Sequence, residues 1–383
     1  MRNACDCAAF YNHLMKNAIC IRGAGIVGQV LALLLARKRI GVSLVKAAPA
    51  KQPDLRSFAL NAASKQILED LRVWPTDDSQ AAPVQRMQVF GDTAGEVNFD
   101  AGLEPLAWIV DAAVLQSRLA AAISFSSEIF VVADKESLPN AELSIICEGR
   151  ASDTREATGA HFEQFAYDQI AIAAHIRCEQ SHESTAWQWM RSGEICAFLP
   201  RGPSVSGNSV SLVWSVSRER ATELLAMPGQ LFVQALGEAT QGRLGQLDVE
   251  SNLANWPLML AQAQLWSGRA AFGAWVLAGD AAHAVHPLAG QGLNLGLGDA
   301  AELAKTLAEK PYFRSYSDAK LLRAYERSRK GEAAMLRLAT DGLQRIFSSS
   351  DSRVLQLRNW GMQGFQAAEP LKAWLMQRAS GLR

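Results

Sequence analysis

The sequence predicts an α/β protein in which a parallel-sheet domain is interrupted by a mainly antiparallel sheet and followed by helices. Three observations lead to this prediction. A strand–turn–helix–strand unit with three glycines occupies residues 18–45, alternating apolar and polar residues dominate 169–217, and helical spacing prevails after Asp299. The length of 383 residues is sufficient for two packed domains.

The first unit begins with the short apolar run 18–22 and continues through Gly23, Gly25 and Gly28 into a helical stretch rich in Leu and Ala. The run 42–45 is typical of a second strand. In a Rossmann-like unit of about 30 residues, the first glycine permits a tight turn and the second lets the backbone approach a pyrophosphate. The third lets helix and strand pack closely, and the helix N-terminus attracts the phosphates.

Further along the chain the elements change character. Helical spacing occurs at 61–71 and 111–123, and 143–147 is typical of a buried strand. Alternating runs that indicate antiparallel strands follow at 169–178, within 185–199 and at 209–217. We therefore expect an N-terminal extension (1–17), a discontinuous nucleotide-binding domain (18–157 and 271–350), a mainly antiparallel substrate domain (158–270) and a C-terminal helical segment (351–383).

The strongest chemical signal is the strand 274–278 and the turn Gly279-Asp280 that follows it. A carboxylate at this strand end can hold the sugar-like hydroxyls of a ribityl chain. An acid–glycine turn, Glu148-Gly149, follows the strand 143–147, and Arg155 lies beyond it. By itself this acid–glycine turn is more typical of an ordinary surface turn than of a binding site. It gains weight only beside the two glycine-rich turns.

The loop after Asp280 has the composition expected around a planar ligand. Pro287 stiffens it, and Gly290 and Gly292 bring backbone amides close. The positive end of the helix that begins near Leu293 would stabilise the anion formed when a flavin is reduced. A glycine-rich helix entry without a ligand is the alternative.

Composition excludes several classes of function. Lys and Arg together number 38, as do Asp and Glu, so the overall charge gives no reason to expect a nucleic-acid partner. Six cysteines without a CxxC pair are expected to be reduced thiols. His283 and His286 lack a third ligand, so we predict no metal and assign both to packing or hydrogen bonding. No apolar run reaches the roughly 20 residues of a membrane span, and residues 1–17 lack the apolar core of a secretory signal.

The order and spacing of the three turns resemble those of the FAD-dependent aromatic hydroxylases, which have a para-hydroxybenzoate hydroxylase-like fold. Within them the chain is most similar to the ubiquinone-biosynthesis (polyprenylphenol) hydroxylases. The segments 54–61, 167–172, 193–200 and 212–216 carry this similarity beyond the turns. The resemblance implies a monooxygenase that uses FAD, with NADH or NADPH as reductant. Its substrate would be an apolar aromatic, a polyprenylated phenol or quinone precursor, hydroxylated through a flavin hydroperoxide.

The resemblance also implies the site residues. Because the flavin carries the chemistry, no catalytic residue is assigned. The residues expected to bind FAD are Gly23, Gly25 and Gly28 at the pyrophosphate, Arg56 near the cofactor, Asp280 at the flavin chain, and Pro287, Gly290, Gln291, Gly292, Leu293 and Asn294 along the ring.

Three positions depart from the family pattern. Lys46 stands where the family has a ribose-binding Glu, and lysine can only donate hydrogen bonds. Glu148 replaces an Asp, and Ala112-Ala113 occupy a place where polar or basic residues are common. One alternative is therefore a non-catalytic member with weak FAD binding that supports a complex of ubiquinone-pathway proteins. The other is a flavin hydroxylase of a small soluble aromatic.

Two further features leave alternatives open. Four large side chains could form an apolar pocket wall or simply core: Trp187, Trp189, Met190 and Phe198. Residues 301–383 contain 15 Lys and Arg against 8 Asp and Glu, together with large apolar side chains. This basic region is a candidate for peripheral contact between a cytoplasmic protein and the inner membrane. A solvated helical face packed on the core is the alternative.

Overall fold

The computed structural model describes residues 18–46, 54–92, 95–133, 141–191, 193–202, 208–284 and 291–348, with isolated positions between 364 and 381. The strands are β1 Ile19–Arg22, β2 Val42–Val45, β3 Ser57–Leu60, β4 Ala82–Val84, β5 Arg86–Phe90, β6 Glu96–Asp100, β7 Ala107–Asp111, β8 Ile129–Val132, β9 Leu143–Ile146, β10 Phe162–Cys178, β11 Thr185–Arg191, β12 Glu194–Pro200, β13 Asn208–Ser217, β14 Leu247–Val249, β15 Ala254–Ala263, β16 Ser267–Ala270, β17 Gly273–Leu277 and β18 His283–Ala284. The helices are α1 Ile26–Arg37, α2 Ala62–Asp70, α3 Ala112–Ser124, α4 Asp153–Ala157, α5 Arg218–Ala226, α6 Gly229–Ala239, α7 Gln291–Ala308 and α8 Ala319–Ser348.

The first sheet has the order β16-β17-β9-β1-β2-β8 and is parallel except for its edge strand β16. The four inner strands, β1, β2, β9 and β17, are short and almost entirely buried, as expected where helices cover a parallel sheet. Helix α1 packs against α3 and α7, and its Leu and Ile side chains join those of β1 and β9 in the main core. The predicted strand–turn–helix–strand unit is therefore present.

The second sheet has the order β18-β15-β10-β13-β12-β11-β5-β6, and β14 also pairs with β10. Helices α5 and α6 cover one face of this sheet. There the ring centroids of Trp214 and Phe232 lie 6.1 Å apart. Trp189 stacks on Phe90 at 5.7 Å and meets the edge of Phe198 at 5.5 Å. Trp187, Trp189 and Phe198 thus belong to this core, and Met190 packs in a small neighbouring cluster. The structure favours core packing over a pocket wall for all four.

Strands β5 and β6 differ from the expected arrangement. The sequence places residues 18–157 in the nucleotide-binding domain, yet β5 pairs in parallel with β11 and β6 extends the second sheet beyond it. The apolar cluster of Val89, Val97, Met190 and Ile195 explains this pairing, because it buries side chains from both segments. The same parallel pair makes the second sheet mixed rather than wholly antiparallel.

The third sheet is small and positions the segment that contains Arg56. Its order is β3-β7-β4, and Ser57 in β3 lies opposite Asp111 in β7. The Arg56 carbonyl accepts a hydrogen bond from the Ala112 backbone N–H at 2.8 Å, at the start of α3. The loop before β3 is thereby tied to a helix end.

Helices α7 and α8 complete the described chain. None of the helices in the described residues is long and apolar enough to cross a membrane. Side chains beyond Met335 are described only at a few isolated positions, so most of the basic region 301–383 and the expected segment 351–383 lie outside the described residues.

Candidate functional site

Three turns meet at one edge of the parallel sheet. Arg22, Ile146 and Leu277 are register partners across β1, β9 and β17. The ladder continues into the turns, because the Cys147 N–H donates to the Arg22 carbonyl at 2.7 Å and the Ala278 N–H donates to the Ile146 carbonyl at 3.1 Å. The carboxyl ends of neighbouring parallel strands form the crevice in which open α/β sheets bind ligands.

The first glycine turn is packed directly against the acid–glycine turn. Gly23 has a φ of 102°, and a β-carbon there would lie 2.5 Å from the Cys147 carbonyl oxygen. At Gly28 a β-carbon would lie 2.0 Å from the Gly23 carbonyl oxygen, which only glycine avoids. Around Gly25, by contrast, no described heavy atom lies within 4 Å of that position. Two glycines thus serve packing, and the third leaves an open cradle.

The N-terminus of α1 faces this cradle. Gly25 is the N-cap residue, no side chain in the described part of the chain caps the helix, and its first turn contains no acid. Backbone N–H groups at such a helix end are available to an anion and carry a partial positive charge. The open backbone at Gly25 and the uncapped helix therefore fit the pyrophosphate of a dinucleotide.

The two glycine clusters interlock through Val27. Gly279 has a φ of 64°, and a β-carbon there would lie 3.3 Å from the Val27 methyl groups. At Gly296 in α7 a β-carbon would lie 2.8 Å from the same side chain. Val27 of α1 is thus a wedge between the second turn and the helix after it, and this contact fixes the spacing of the two clusters.

The flavin end of the predicted site contains Asp280 and Arg56. Asp280 is exposed, and the Arg56 side chain is 47 % exposed. Arg56 donates to both oxygens of Asp54, at 2.8 and 2.6 Å. This pairing raises the pKa of the Arg56 guanidinium, and the nearby charge of Asp280 adds to the effect. An exposed acceptor and an exposed donor of opposite charge are therefore close enough to interact electrostatically, and both are accessible to a ligand with hydroxyl and carbonyl groups.

A buried ion cluster lies beneath the Gly279-Asp280 turn. Asp299 is fully buried in α7, and its Oδ2 accepts hydrogen bonds from the Gly279 N–H at 2.9 Å and from His283 Nε2 at 2.6 Å. Its Oδ1 accepts from Arg329 Nε at 2.7 Å. Burial opposes ionisation, but His283 and Arg329 outweigh it and hold the pKa of Asp299 below its ordinary value. The assignment of His283 to hydrogen bonding and packing agrees with this geometry, since its ring also lies against Trp266, with centroids 5.0 Å apart.

The acid–glycine turn is an internally satisfied support. Glu148 accepts hydrogen bonds from the Ser152 hydroxyl at 2.7 Å and from the Thr154 hydroxyl at 2.9 Å. Its side chain therefore reaches forward to the start of α4, which gives the extra methylene relative to Asp a structural use. Arg155 is buried over the Phe162 ring and donates to the carbonyls of Arg150 at 2.7 Å and Ala281 at 3.3 Å. It joins the acid–glycine turn to the flavin turn.

The residues expected along the flavin ring have different surroundings. The Asn294 amide donates to the Ala59 carbonyl at 2.9 Å and accepts from the Asn61 N–H at 3.1 Å, so it ties α7 to the segment after Arg56. Leu293 is buried in the main core, and Gly292 is partly buried. Pro287, Gly290 and the Gln291 side chain lie outside the described residues.

The adenosine end is basic. The Lys46 side chain is exposed at the end of β2, and its backbone N–H donates to the Val132 carbonyl at 3.0 Å. Among the described residues, no hydrogen bond or ion pair holds the Lys46 side chain. Arg22 ends the adjacent strand β1, and its guanidinium lies 4.9 Å from the Phe272 ring centroid. Arg22 Nε is buried without a hydrogen-bond partner in the described part of the chain. Ala112 and Ala113 begin α3, with Ala112 buried and Ala113 exposed.

A polar network connects the flavin-end loop to the second sheet. Arg201 and Ser57 both donate to Asp111, at 2.7 and 2.5 Å. Burial, together with the Arg201 charge, lowers the pKa of His175, and the nearby Leu55 backbone, next to Arg56, partly opposes this effect. This network was not predicted, because its members come from β3, β7, β10 and the end of β12.

The described residues contain neither a candidate metal site nor an exposed cysteine. No group of three or more His, Cys, Asp or Glu side chains there is arranged to hold a metal ion. Cys20, Cys147, Cys178 and Cys196 are free and buried, and burial raises the pKa of Cys178 to about 12. Such thiols are poorly ionised and have no evident part in the site. Cys5 and Cys7 lie outside the described residues.

Comparison with known proteins identifies the family to which the chain belongs. Residues 130–337, more than half of the chain, match the family model described as FAD binding domain. The chain is 34 % identical to the human mitochondrial ubiquinone biosynthesis monooxygenase COQ6, over 62 % of this chain and 57 % of that protein. It is 28 % identical to the ubiquinone hydroxylase UbiL of Rhodospirillum rubrum, covering 95 % and 89 %. It is 29 % identical to the 3-demethoxyubiquinol 3-hydroxylase of Escherichia coli, covering 95 % and 98 %. The predicted resemblance to ubiquinone-biosynthesis hydroxylases is confirmed.

Solved structures confirm the fold class. The p-nitrophenol 4-monooxygenase PnpA of Pseudomonas putida superposes with a TM-score of 0.75 at 16 % identity, covering 96 % of this chain and 98 % of that one. The probable FAD-dependent monooxygenase pqsL of Pseudomonas aeruginosa superposes with a TM-score of 0.72 at 19 % identity, covering 90 % and 99 %. At these identities the likeness concerns the α/β fold alone.

Proposed function

The chain belongs to the FAD binding domain family, and from this premise we propose that it is an FAD-dependent monooxygenase of ubiquinone biosynthesis. It hydroxylates an aromatic ring of a polyprenylated phenol or quinone precursor and uses NADH or NADPH as reductant. The bacterial relatives named as a ubiquinone hydroxylase and as a demethoxyubiquinol hydroxylase support this substrate class, because each match spans 95 % of this chain.

The convergence of three turns at the carboxyl ends of β1, β9 and β17 is the observation that carries the proposal. The open cradle at Gly25 and the uncapped N-terminus of α1 hold the pyrophosphate. Asp280 accepts hydrogen bonds from the ribityl hydroxyls, and Arg56 places a positive charge beside them. When bound, FAD supplies the redox and oxygen chemistry, and the protein binds, orients and excludes water.

We assign the remaining predicted ligands in the same proposal. Gly23 and Gly28 act by letting the turn close, and Gly292, Leu293 and Asn294 act through the start of α7. Residues 18–157 and 271–350 contribute the cofactor site, and 158–270 contribute most of the substrate domain. Strands β5 and β6 are added to that second domain because they extend its sheet.

Peripheral membrane contact is the finer part of the proposal. The excess of basic residues in 301–383 suits an anionic bilayer, where a prenylated substrate resides, and the protein would otherwise be cytoplasmic. Cosedimentation with vesicles that contain anionic lipid, and its absence with purely zwitterionic vesicles at the same salt concentration, is the expected result. Equal binding to both vesicle types would contradict it.

The enzymatic test uses the purified protein loaded with FAD. With NADH or NADPH present, a polyprenylated phenol should stimulate oxygen consumption and yield a product heavier by one oxygen atom. A short-chain soluble phenol serves as the matched control, and a response to it alone would favour a hydroxylase of small aromatics. A protein that binds FAD but responds to neither, or that stays colourless after FAD titration, would favour the non-catalytic alternative associated with Lys46.

A further inference from the structure

A cluster of buried charged side chains lies beneath the flavin turn, and burying these charges costs free energy. None of its members is among the residues proposed to bind FAD. Asp299, His283 and Arg329 are 0 %, 3 % and 4 % exposed, and they come from α7, β18 and α8. Replacing a buried ion cluster by apolar side chains is often neutral or stabilising, so such a cluster is weak evidence for a role in stability alone. A more specific role is indicated by the contacts that the cluster makes with the turn.

The geometry is centred on Asp280. Asp299 Oδ2 receives the N–H of Gly279, the residue before Asp280, and the ring N–H of His283, three residues after it. One carboxylate oxygen therefore holds the backbone on one side of Asp280 and a side chain on the other. Asp280 itself remains exposed above this contact.

Arg329 holds the carboxylate from below. Besides its bond to Asp299, it donates to the Leu295 carbonyl at 3.0 Å and pairs with Glu332. A β-carbon at Gly298 would lie 2.8 Å from Arg329 Nη2, so the glycine in α7 lets the guanidinium approach. On α8, the helix that also carries Arg329, the Tyr325 hydroxyl donates to the Leu277 carbonyl at 3.1 Å, at the end of β17. Helix α8 thus fixes both the strand end and the turn.

We propose that Asp299 is a positioning residue for the flavin end of the site: held between His283 and Arg329, it fixes the Gly279-Asp280 turn so that Asp280 meets the ribityl chain. The inference rests on the proposed function, since it concerns how FAD is held. Asp299 acts through Asp280, because it is buried beneath the turn and is not available to the cofactor.

The test compares Asp299→Asn with a matched control. Glu326→Gln removes the charge of another buried carboxylate on α8, one that accepts from the Ser267 hydroxyl at 2.8 Å and does not contact the turn. We expect Asp299→Asn to weaken FAD binding to the apo-protein about tenfold, as loss of a hydrogen-bonded charge does. We also expect it to alter the visible circular dichroism and the midpoint potential of bound flavin. Glu326→Gln should leave the FAD dissociation constant within about twofold of wild type.

A second variant protects the test against misfolding. His283→Phe keeps an aromatic ring beside Trp266 but removes one donor to Asp299, and it should weaken FAD binding about threefold and shift the circular dichroism in the same sense. Unchanged FAD affinity, dichroism and potential in the soluble variants, with only a lower melting temperature, would overturn the inference. Failure of the wild-type protein to bind FAD would instead overturn the proposed function.

Discussion

The two ends of the proposed cofactor site are built differently. At the flavin end, the Gly279-Asp280 turn is held by buried charged groups on both sides, Asp299 beneath it and Arg155 at the Ala281 carbonyl. At the adenosine end, Lys46 is exposed, and within the described part of the chain only its backbone is held by a hydrogen bond. The first arrangement determines where a ligand must lie. The second leaves affinity to surface charge, which water and salt screen.

The difference explains why the departures from the family pattern have unequal weight. The Glu148 carboxylate accepts hydrogen bonds from two hydroxyl groups at the start of α4, so this replacement has a structural role. Lys46 has no comparable structural use in the described contacts and lies where a ribose acceptor is expected. We therefore expect variants at the flavin end to change FAD binding strongly and variants at Lys46 to change it modestly.

The largest effect is expected from the first glycine turn. Gly28→Ala would place a β-carbon 2.0 Å from a backbone oxygen, so the turn must open at a cost of about 1–3 kcal/mol, and FAD binding should be lost. Gly25→Ala is the matched control, because its β-carbon meets open space in the described structure. It should melt as wild type without FAD and still bind FAD at least tenfold more weakly. Calorimetry of the apo-proteins checks the first effect and FAD titration the second. Wild-type FAD affinity in Gly25→Ala would show that the pyrophosphate does not bind beside Gly25.

Asp280→Ala tests the flavin end directly. The side chain is exposed, so the melting temperature of the apo-protein should stay within about 1 °C of wild type. FAD affinity should fall about tenfold, because the ribityl hydroxyls lose a charged acceptor. Fluorescence titration with FAD measures this change. Titration with ADP is the control, and the variant should bind ADP with the affinity of wild type. If ADP binding weakened as much as FAD binding, Asp280 would not be specific for the flavin end.

Lys46→Glu tests the adenosine end. Restoring an acceptor for the ribose hydroxyls should tighten FAD binding by up to about fivefold, the scale of an exposed charged contact. Lys320→Glu makes the same charge change at an exposed position on α8 and should have no effect. Isothermal titration at two salt concentrations separates a local contact from general electrostatics. Equal or weaker binding by Lys46→Glu would show that the lysine is adapted to its site.

The smallest effect concerns pH. Burial and the Arg201 charge lower the pKa of His175 below its ordinary value of 6.5, despite Asp111 and Glu250 nearby. The unfolded chain then binds more protons than the folded one, so this contribution to stability is present above pH 6.5 and is lost as pH falls below it. Denaturant unfolding at pH 7.5, 6.5 and 5.5 should show falling stability, with a shallower fall for His175→Gln. The partly buried His182, whose pKa is also lowered by desolvation, should leave a residual slope. An identical slope in the variant would place the titration elsewhere.

Local sequence pattern was sufficient for the elements that carry the turns. The strand Val42–Val45 has the predicted bounds, and α2 and α3 lie within one residue of the expected helices at each end. Short-range rules predict these features because their causes are local: periodicity, glycine turns and apolar runs. The Gly23 and Gly279 turns follow for the same reason.

The supports of the site could not be predicted in this way. Asp299 and Arg329 lie on different helices, and nothing local pairs this aspartate with this arginine among the many on α8. One signal was available: Asp299 interrupts an otherwise apolar helix face, and a charge there requires a buried partner. The pairing of β5 with β11 is a tertiary choice of the same kind.

The Val27 wedge has a consequence for how the protein forms. Val27 belongs to the first helix of the chain, yet the two glycines that receive it, Gly279 and Gly296, come from the last third. During synthesis the contacts of the first helix with these glycines, and the pairing of β9 with β17, must therefore wait until most of the chain has left the ribosome. Such distant closure makes folding slow and exposes apolar surface on the way. Chaperone dependence should accordingly be greatest for fragments that end before Gly273, and it should fall sharply once α7 is complete.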